Sequence, residues 1–215
     1  MSQEIGPAEP RLILASASPR RQQLLREARF DFIVHPAEID EDALPADTLP
    51  LDLARELAIR KARAVSALYP RDAVLAADTV VAFGDRSLGK PADEREALRM
   101  LELLAGTTHI VITAVSLLCP PRKVDVTRHA MSAVRMRFLT RREMSQYVAG
   151  GEWRGKAGGY GIQDRDPFVT RVGGSWTNVV GLPMRLVKSM LTDAGVWPVR
   201  REGEGTGARR HEGTE

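Results

Sequence analysis

Apolar positions first cluster at Arg11–Ala15 (RLILA), a short continuous run of the kind a buried strand shows. Polar Ser16-Ala17-Ser18-Pro19-Arg20-Arg21 follows, and a helix is predicted from there through about Arg29. Ser18 is its expected N-cap, and Pro19 occupies the first helical position, where its missing N–H costs nothing. Phe30–His35 reads as a second strand. Beyond a loop with Pro45 and Pro50, the stripe Ala54, Leu57, Lys61, Val65, Leu68 predicts a helix over about Leu51–Leu68, stopped by Pro70. Lys61 thus falls on the apolar face of that helix. Val74–Phe83 reads as an apolar strand, and Gly84–Gly89 supplies turn chemistry.

Asp93 with Glu96 forms a capping-box pattern before the stripe Ala97, Leu98, Leu101, Leu104, which stops at Gly106. Thr108–Leu118 and Val124–Leu139 read as two longer strands. Thr140 with Glu143 caps another helix, closed by Gly150-Gly151. Phe168–Val180 reads as a hairpin turning at Gly173-Gly174, and a last helix runs from about Pro183 to Asp193. Strands and helices in this order predict an α/β fold around a twisted mixed sheet, with no internal repeat.

Composition narrows the setting. The 215 residues suit one large domain or two small lobes, and 43% hydrophobic with 27% charged residues is ordinary globular usage. No apolar run approaches the ~18 residues of a membrane-spanning helix. The N-terminus shows no basic region followed by an apolar stretch, so no secretory leader is expected. Cys119 is the sole cysteine, which excludes an intramolecular disulfide or a thiolate metal site and makes a reducing cytoplasm the expected home. Net charge is +3, and only five of the 31 basic residues are lysine. No tract resembles a polybasic arm, so charge favours an anionic small molecule as readily as nucleic acid. The expected organisation is a flexible N-terminus over 1–10, one domain over 11–196 and a disordered tail over 197–215. From Arg200 onward that tail has no apolar residue larger than Ala.

Five places carry candidate chemistry. The Ser16–Arg21 turn joins a strand to a helix N-terminus, where free N–H groups, two serine hydroxyls and planar arginine donors suit phosphate oxygens. Successive helical residues point ~100° apart, so at most one of Arg20 and Arg21 is expected to face a ligand. Asp78 interrupts an apolar strand and must meet a cation, a metal or several donors there. Lys61, Lys90 and Lys156 each stand beside a sharp backbone feature. The acidic run Glu38-Ile39-Asp40-Glu41-Asp42 offers hard oxygen ligands that, with Asp78, would select Mg²⁺ or Mn²⁺ rather than zinc. In Gly151–Gln163, five glycines in thirteen residues imply sharp turns or close approach to a ligand. It is not a Walker A loop; Tyr160 could border a base, and the Gln163 amide complements a pyrimidine imide edge.

Taken together, these segments resemble the Maf nucleoside triphosphate pyrophosphatases. The resemblance rests on Leu14–Arg21 (LASASPRR), Ala58–Ala62, Ala77–Val81 (ADTVV), Gly89–Pro91, Ala105–His109 with Val111–Thr113, Gly155–Gln163 (GKAGGYGIQ) and Val180–Pro183. It implies an elongated α/β fold with a cleft between two lobes, a homodimer, and hydrolysis of a nucleoside triphosphate between the α and β phosphates with a divalent metal. Under that resemblance Asp78 would activate water, and Glu41 with Asp78 would hold Mg²⁺ or Mn²⁺. Ser16, Arg21, Lys61 and Lys90 would line the phosphate end. Arg20, Thr79 and Gln163 would set selectivity, and the Gly-Tyr-Gly-Ile-Gln run points to the branch acting on dTTP and UTP. The family commonly has Gly after this Gln, where this chain has Asp164. Another base preference, such as 7-methyl-GTP, and a non-catalytic nucleotide- or nucleic-acid-binding regulator of cell division are the alternatives.

Overall fold

The computed structural model describes residues 9–41, 43–45, 47–164 and 168–199. Asp42, most of the expected N-terminal segment and the stretch from Arg200 onward lie outside the described residues. Among the described residues seven strands form one mixed sheet, six of them in the order β2-β1-β3-β5-β6-β7 and the seventh, β4, paired with β3 off this path. β1 (Leu12–Leu14) pairs in parallel with β2 (Ile33–Val34) on one side and with β3 (Ala73–Phe83) on the other. β5 (Thr108–Cys119) runs antiparallel to β3, β6 (Val124–Met136) to β5, and β7 (Val169–Arg171) to β6. β4 (Arg86–Leu88) folds back antiparallel on the end of β3 through Val81–Phe83.

The two registers on one edge of β3 leave a gap. β1 covers that edge at Ala73–Leu75, with Ala15 N–H adding one bond to the Leu75 carbonyl (2.8 Å), and β4 covers it from Val81. Among the described residues no strand pairs with that edge over 76–80. Strand alternation then sorts the side chains. Ala76, Val80 and Ala82 pack toward α2 (Pro50–Ser66), against Ala54, Ala58, Ala62 and Val65. Leu75 and Ala77 pack on the opposite face with α1 (Pro19–Glu27) and α6 (Met184–Asp193), through Leu24, Leu25, Val187 and Leu191. Val81 joins a second cluster under α3 (Glu94–Leu104) and α4 (Arg141–Gly150), with Leu101, Leu104 and Met144. Full burial of each such large side chain contributes about 1.5–3 kcal/mol. β3 and β5 thread both clusters, and the sheet gap falls between them.

Local signals set most element ends. Ser18 caps α1 by accepting from Arg21 N–H, Asp93 caps α3 from Glu96 N–H, and Thr140 with Glu143 completes a capping box on α4. Two expectations need correction. β6 ends at Met136 rather than Leu139, because Arg137 N–H turns to the Phe168 carbonyl (3.0 Å) and Gly106 N–H takes the Arg137 carbonyl (3.2 Å). Only the first limb of the expected hairpin is a strand. After Gly173-Gly174 the chain forms α5 (Trp176–Val180), capped by Ser175 and ended by Gly181 at φ +116°. Its β-branched residues look strand-like. The cap prevails, together with fully buried Asn178, whose amide donates to the Val111 carbonyl (3.0 Å) and Ser132 Oγ (2.9 Å). Val199 N–H donates to the Arg29 carbonyl (2.8 Å), two residues past the end of α1.

Candidate active site

A cavity of about 520 Å³ opens at the sheet gap, within the ~300–1,000 Å³ typical of small-molecule sites. Its walls come from the Ser16–Arg21 turn, the middle of β3, the glycine-rich segment and the end of α5. Ser16, Arg20, Arg21, Glu41, Lys61, Asp78, Thr79, Lys90 and Gln163 all line it.

Asp78 shares the α2-facing side of β3 with Ala76 and Val80, which sets it against Lys61. Lys61 Nζ donates to Asp78 Oδ1 at 2.6 Å and pairs with Glu41 Oε1 at 2.7 Å. Lys61 and Asp78 side chains are 8% and 9% exposed, so the charge within the apolar stripe is paired rather than snorkelling. Lys90 Nζ reaches Glu41 Oε2 at 3.4 Å from a more exposed position. The two carboxylates respond differently to one ammonium. Burial dominates at Asp78 and raises its pKa, with Lys61 and Arg21 opposing. At Glu41 burial opposes but is outweighed by Lys61 and then Lys90, so its pKa falls. Asp78 is therefore the stronger proton acceptor of the two.

Thr79, the next residue, points to the opposite face. Arg21 Nη2 donates to Thr79 Oγ1 (3.1 Å), Arg21 Nη1 to Ser16 Oγ (3.1 Å) and Arg21 Nε to the Gly181 carbonyl (2.9 Å). Thr79 Oγ1 also contacts Thr113 Oγ1 (3.0 Å), which donates to the Asn178 carbonyl. Arg20 does not turn away: its Nη2 donates to the Gly155 carbonyl (2.9 Å) and it too lines the cavity. Both arginines line the cavity because α1 starts at its mouth. From its first turn, two long side chains reach different walls.

Around the glycine-rich segment stand Asp164, Tyr147 and His109, to which the sequence pattern assigns no role. Gln163 is exposed at the cavity. Behind it Asp164 binds Lys156, Tyr147 and the Gly161 N–H. Tyr160 is 5% exposed, and its hydroxyl lies 2.5 Å from His109 Nε2. Burial lowers the His109 pKa to about 4, so the imidazole is neutral near pH 7. The departure from Gly at 164 was the one visible signal; nothing in the spacing pointed to Tyr147.

Among the described residues no three His, Cys, Asp or Glu side chains gather into a metal-sized group. Glu41 and Asp78, held on one ammonium, provide two hard carboxylates. That donor set fits a divalent cation that takes its remaining oxygen ligands from outside the protein better than an all-protein cage.

Fold and site together define an α/β protein whose cavity carries cations and two carboxylates suited to a polyanion. The chain belongs to the family of Maf-like proteins, whose family model matches residues 11–194. It is 45% identical over 195 residues to the dTTP/UTP pyrophosphatase of Symbiobacterium thermophilum, covering 90% of this chain and 98% of that one. It is 46% identical to the dTTP/UTP pyrophosphatase of Hyphomonas neptunium, over 88% and 98% of the two chains. Among solved structures, the Ham1 protein of Staphylococcus aureus aligns over 59% of this chain and 71% of that chain, with TM-score 0.43 and 14% identity.

Proposed function

We propose that this protein hydrolyses dTTP and UTP to the nucleoside monophosphate and pyrophosphate. The observation that carries this reading is the buried Asp78 carboxylate at the sheet gap, beside Lys61 and Arg21 and open to the cavity. Family membership and relatives named dTTP/UTP pyrophosphatases supply the substrate class.

In this scheme Ser16, Arg21, Lys61 and Lys90 bind the triphosphate, and the fixed positive charge of Arg21, Lys61 and Lys90 stabilises the negative charge that develops as the α–β bond breaks. Asp78 accepts a proton from the attacking water, a role its raised pKa favours. Glu41 and Asp78 would hold Mg²⁺ or Mn²⁺, which when bound neutralises phosphate charge. Because Lys61 spans both carboxylates, it must share them with substrate and metal, and the polyanion offers it replacement acceptors. Arg20, Thr79 and Gln163 set base preference, with the Gln163 amide meeting the imide edge of uracil or thymine.

Among the described residues no helix is long and apolar enough to cross a membrane. The reading includes a cytoplasmic location and a homodimer, the latter tested by light scattering. The reaction is tested by incubating the pure protein with dTTP, UTP, CTP, ATP, GTP and 7-methyl-GTP in Mg²⁺ or Mn²⁺ and identifying the products. Pyrophosphate and monophosphate should appear fastest from dTTP and UTP, and chelation should stop the reaction. Orthophosphate with a diphosphate would overturn the assignment, and binding without turnover would leave a non-catalytic nucleotide-binding protein.

A further inference from the structure

The turn that carries Gln163 is anchored by a side chain outside the phosphate-facing set. Asp164 Oδ2 accepts from the Tyr147 hydroxyl (2.7 Å) and from the Gly161 N–H (2.9 Å), while Oδ1 takes the Lys156 ammonium. One cation and two neutral donors thus satisfy a carboxylate that is only 7% exposed. Asp164 N–H also approaches the Gly161 carbonyl (3.4 Å), closing the four-residue turn. A side chain at 161 would overlap the Asp164 carboxylate and come within 2.9 Å of Lys156 Nζ. Gly161 does not occupy the left-handed region, so close approach alone requires glycine there.

The turn is held from two further directions. Ile162 packs against both large core clusters, and Tyr147 reaches from α4 with its ring edge-on to Phe168 (4.8 Å between centroids). Between Ile162 and Asp164, Gln163 has no side-chain hydrogen bond among the described residues. Its aim depends on the backbone beneath it. A glutamine loses up to ~2 kcal/mol of rotamer freedom when fixed, so a mobile turn would add its own ordering cost to base recognition.

We propose that Asp164 is a positioning residue for base selection: through Lys156, Tyr147 and the Gly161 N–H it holds the 161–164 turn with Gln163 facing the cavity. Asp164 also occupies the Lys156 charge, keeping a free ammonium off the wall that meets the base rather than the phosphates. This proposal rests on the pyrimidine-selective reading given above.

The test measures kcat and KM for UTP and ATP, with melting temperatures, on the wild type and on Asp164→Ala, Asp164→Asn and Tyr147→Phe. In Asp164→Ala the UTP/ATP ratio of kcat/KM should fall roughly tenfold, about 1.4 kcal/mol, mainly through a higher KM for UTP. Asp164→Asn keeps an acceptor for Tyr147 or Gly161 and should recover part of that loss. Tyr147→Phe preserves shape and should give a smaller fall in the same direction, which keeps the proposal testable if Asp164→Ala does not fold. A ratio within twofold of wild type in a folded Asp164→Ala, or in Tyr147→Phe should Asp164→Ala not fold, would overturn the positioning role while leaving the pyrophosphatase reading intact. A wild-type panel without pyrimidine preference would overturn that reading, and this proposal with it.

Discussion

The two walls of the cavity are built in different ways. On the wall read above as binding the phosphates, Asp78, Lys61 and Arg21 stand on β3, α2 and α1, where the Lys61 ion pairs and the Arg21 hydrogen bonds fix each of them. On the wall read as meeting the base, Gln163 stands exposed on a turn that Asp164 ties to Lys156 and Tyr147. Rigid elements hold groups within the tolerance that chemistry needs, while loops can vary without disturbing a core. The division predicts that substitutions on the first wall change turnover, whereas those on the second change which base is accepted.

The largest effect belongs to Asp78→Asn. Losing the base should lower turnover by about 10²–10⁴-fold. The melting temperature should move by only a few degrees, because Lys61 keeps Glu41 and the amide still accepts a hydrogen bond. Turnover within about threefold of wild type would remove Asp78 from the mechanism and erase the contrast between the walls.

Next in size is a pH effect seated under the base-side wall. Folding lowers the His109 pKa from 6.5 to about 4, so between those values the unfolded chain binds a proton that the folded chain refuses. Stability present above pH 6.5 should therefore drain as pH falls toward 4, by at most about 3 kcal/mol from this group. Denaturant titrations at several pH values measure the slope, and His109→Gln should flatten it. An unchanged slope in that variant would assign the acid sensitivity to another group.

Gly161→Ala tests the fit between Gly161 and Asp164. Crowding the carboxylate should cost about 1–3 kcal/mol, read by thermal melting, and the same substitution should cost clearly less in an Asp164→Gly background than in the wild type. Additive losses in the double variant would show that the crowding lies elsewhere. The smallest expected effect is that of Gln163→Ala, which should lower the UTP/ATP selectivity ratio roughly tenfold with phosphate binding largely kept. An unchanged ratio would place base recognition elsewhere and end the division of labour.

Much of the phosphate side is legible from short-range pattern. A carboxylate in an apolar strand implies a partner, and the structure supplies it from the lysine of the apolar helical stripe. Caps at Ser18, Asp93 and Thr140 are local chemistry and appear where expected. The base side is less legible because long-range bonds build it. Tyr147 is 17 residues from Asp164, and nothing about either residue alone announces the contact. The α5 turn reads as strand because Thr177, Val179 and Val180 are β-branched, while Asn178, which overrides that preference, acts through β5 and β6. The gap on the β3 edge is equally invisible in sequence, since it arises from where β1 stops and β4 begins.

The hydrogen bonds across the cavity also bear on the order in which the chain becomes a working protein. β5 and β6 are joined by a tight turn at Pro120–Arg122 and pair over adjacent sequence, so their contacts can form early. The bonds closing the cavity join residues far apart in the chain: Arg20 to Gly155 across 135 residues, and Arg21 to Gly181 across 160. Such closures pay their loop entropy before any contact rewards it. After dilution from denaturant, strand signal should therefore return ahead of hydrolytic activity, leaving a compact but inert species during the lag.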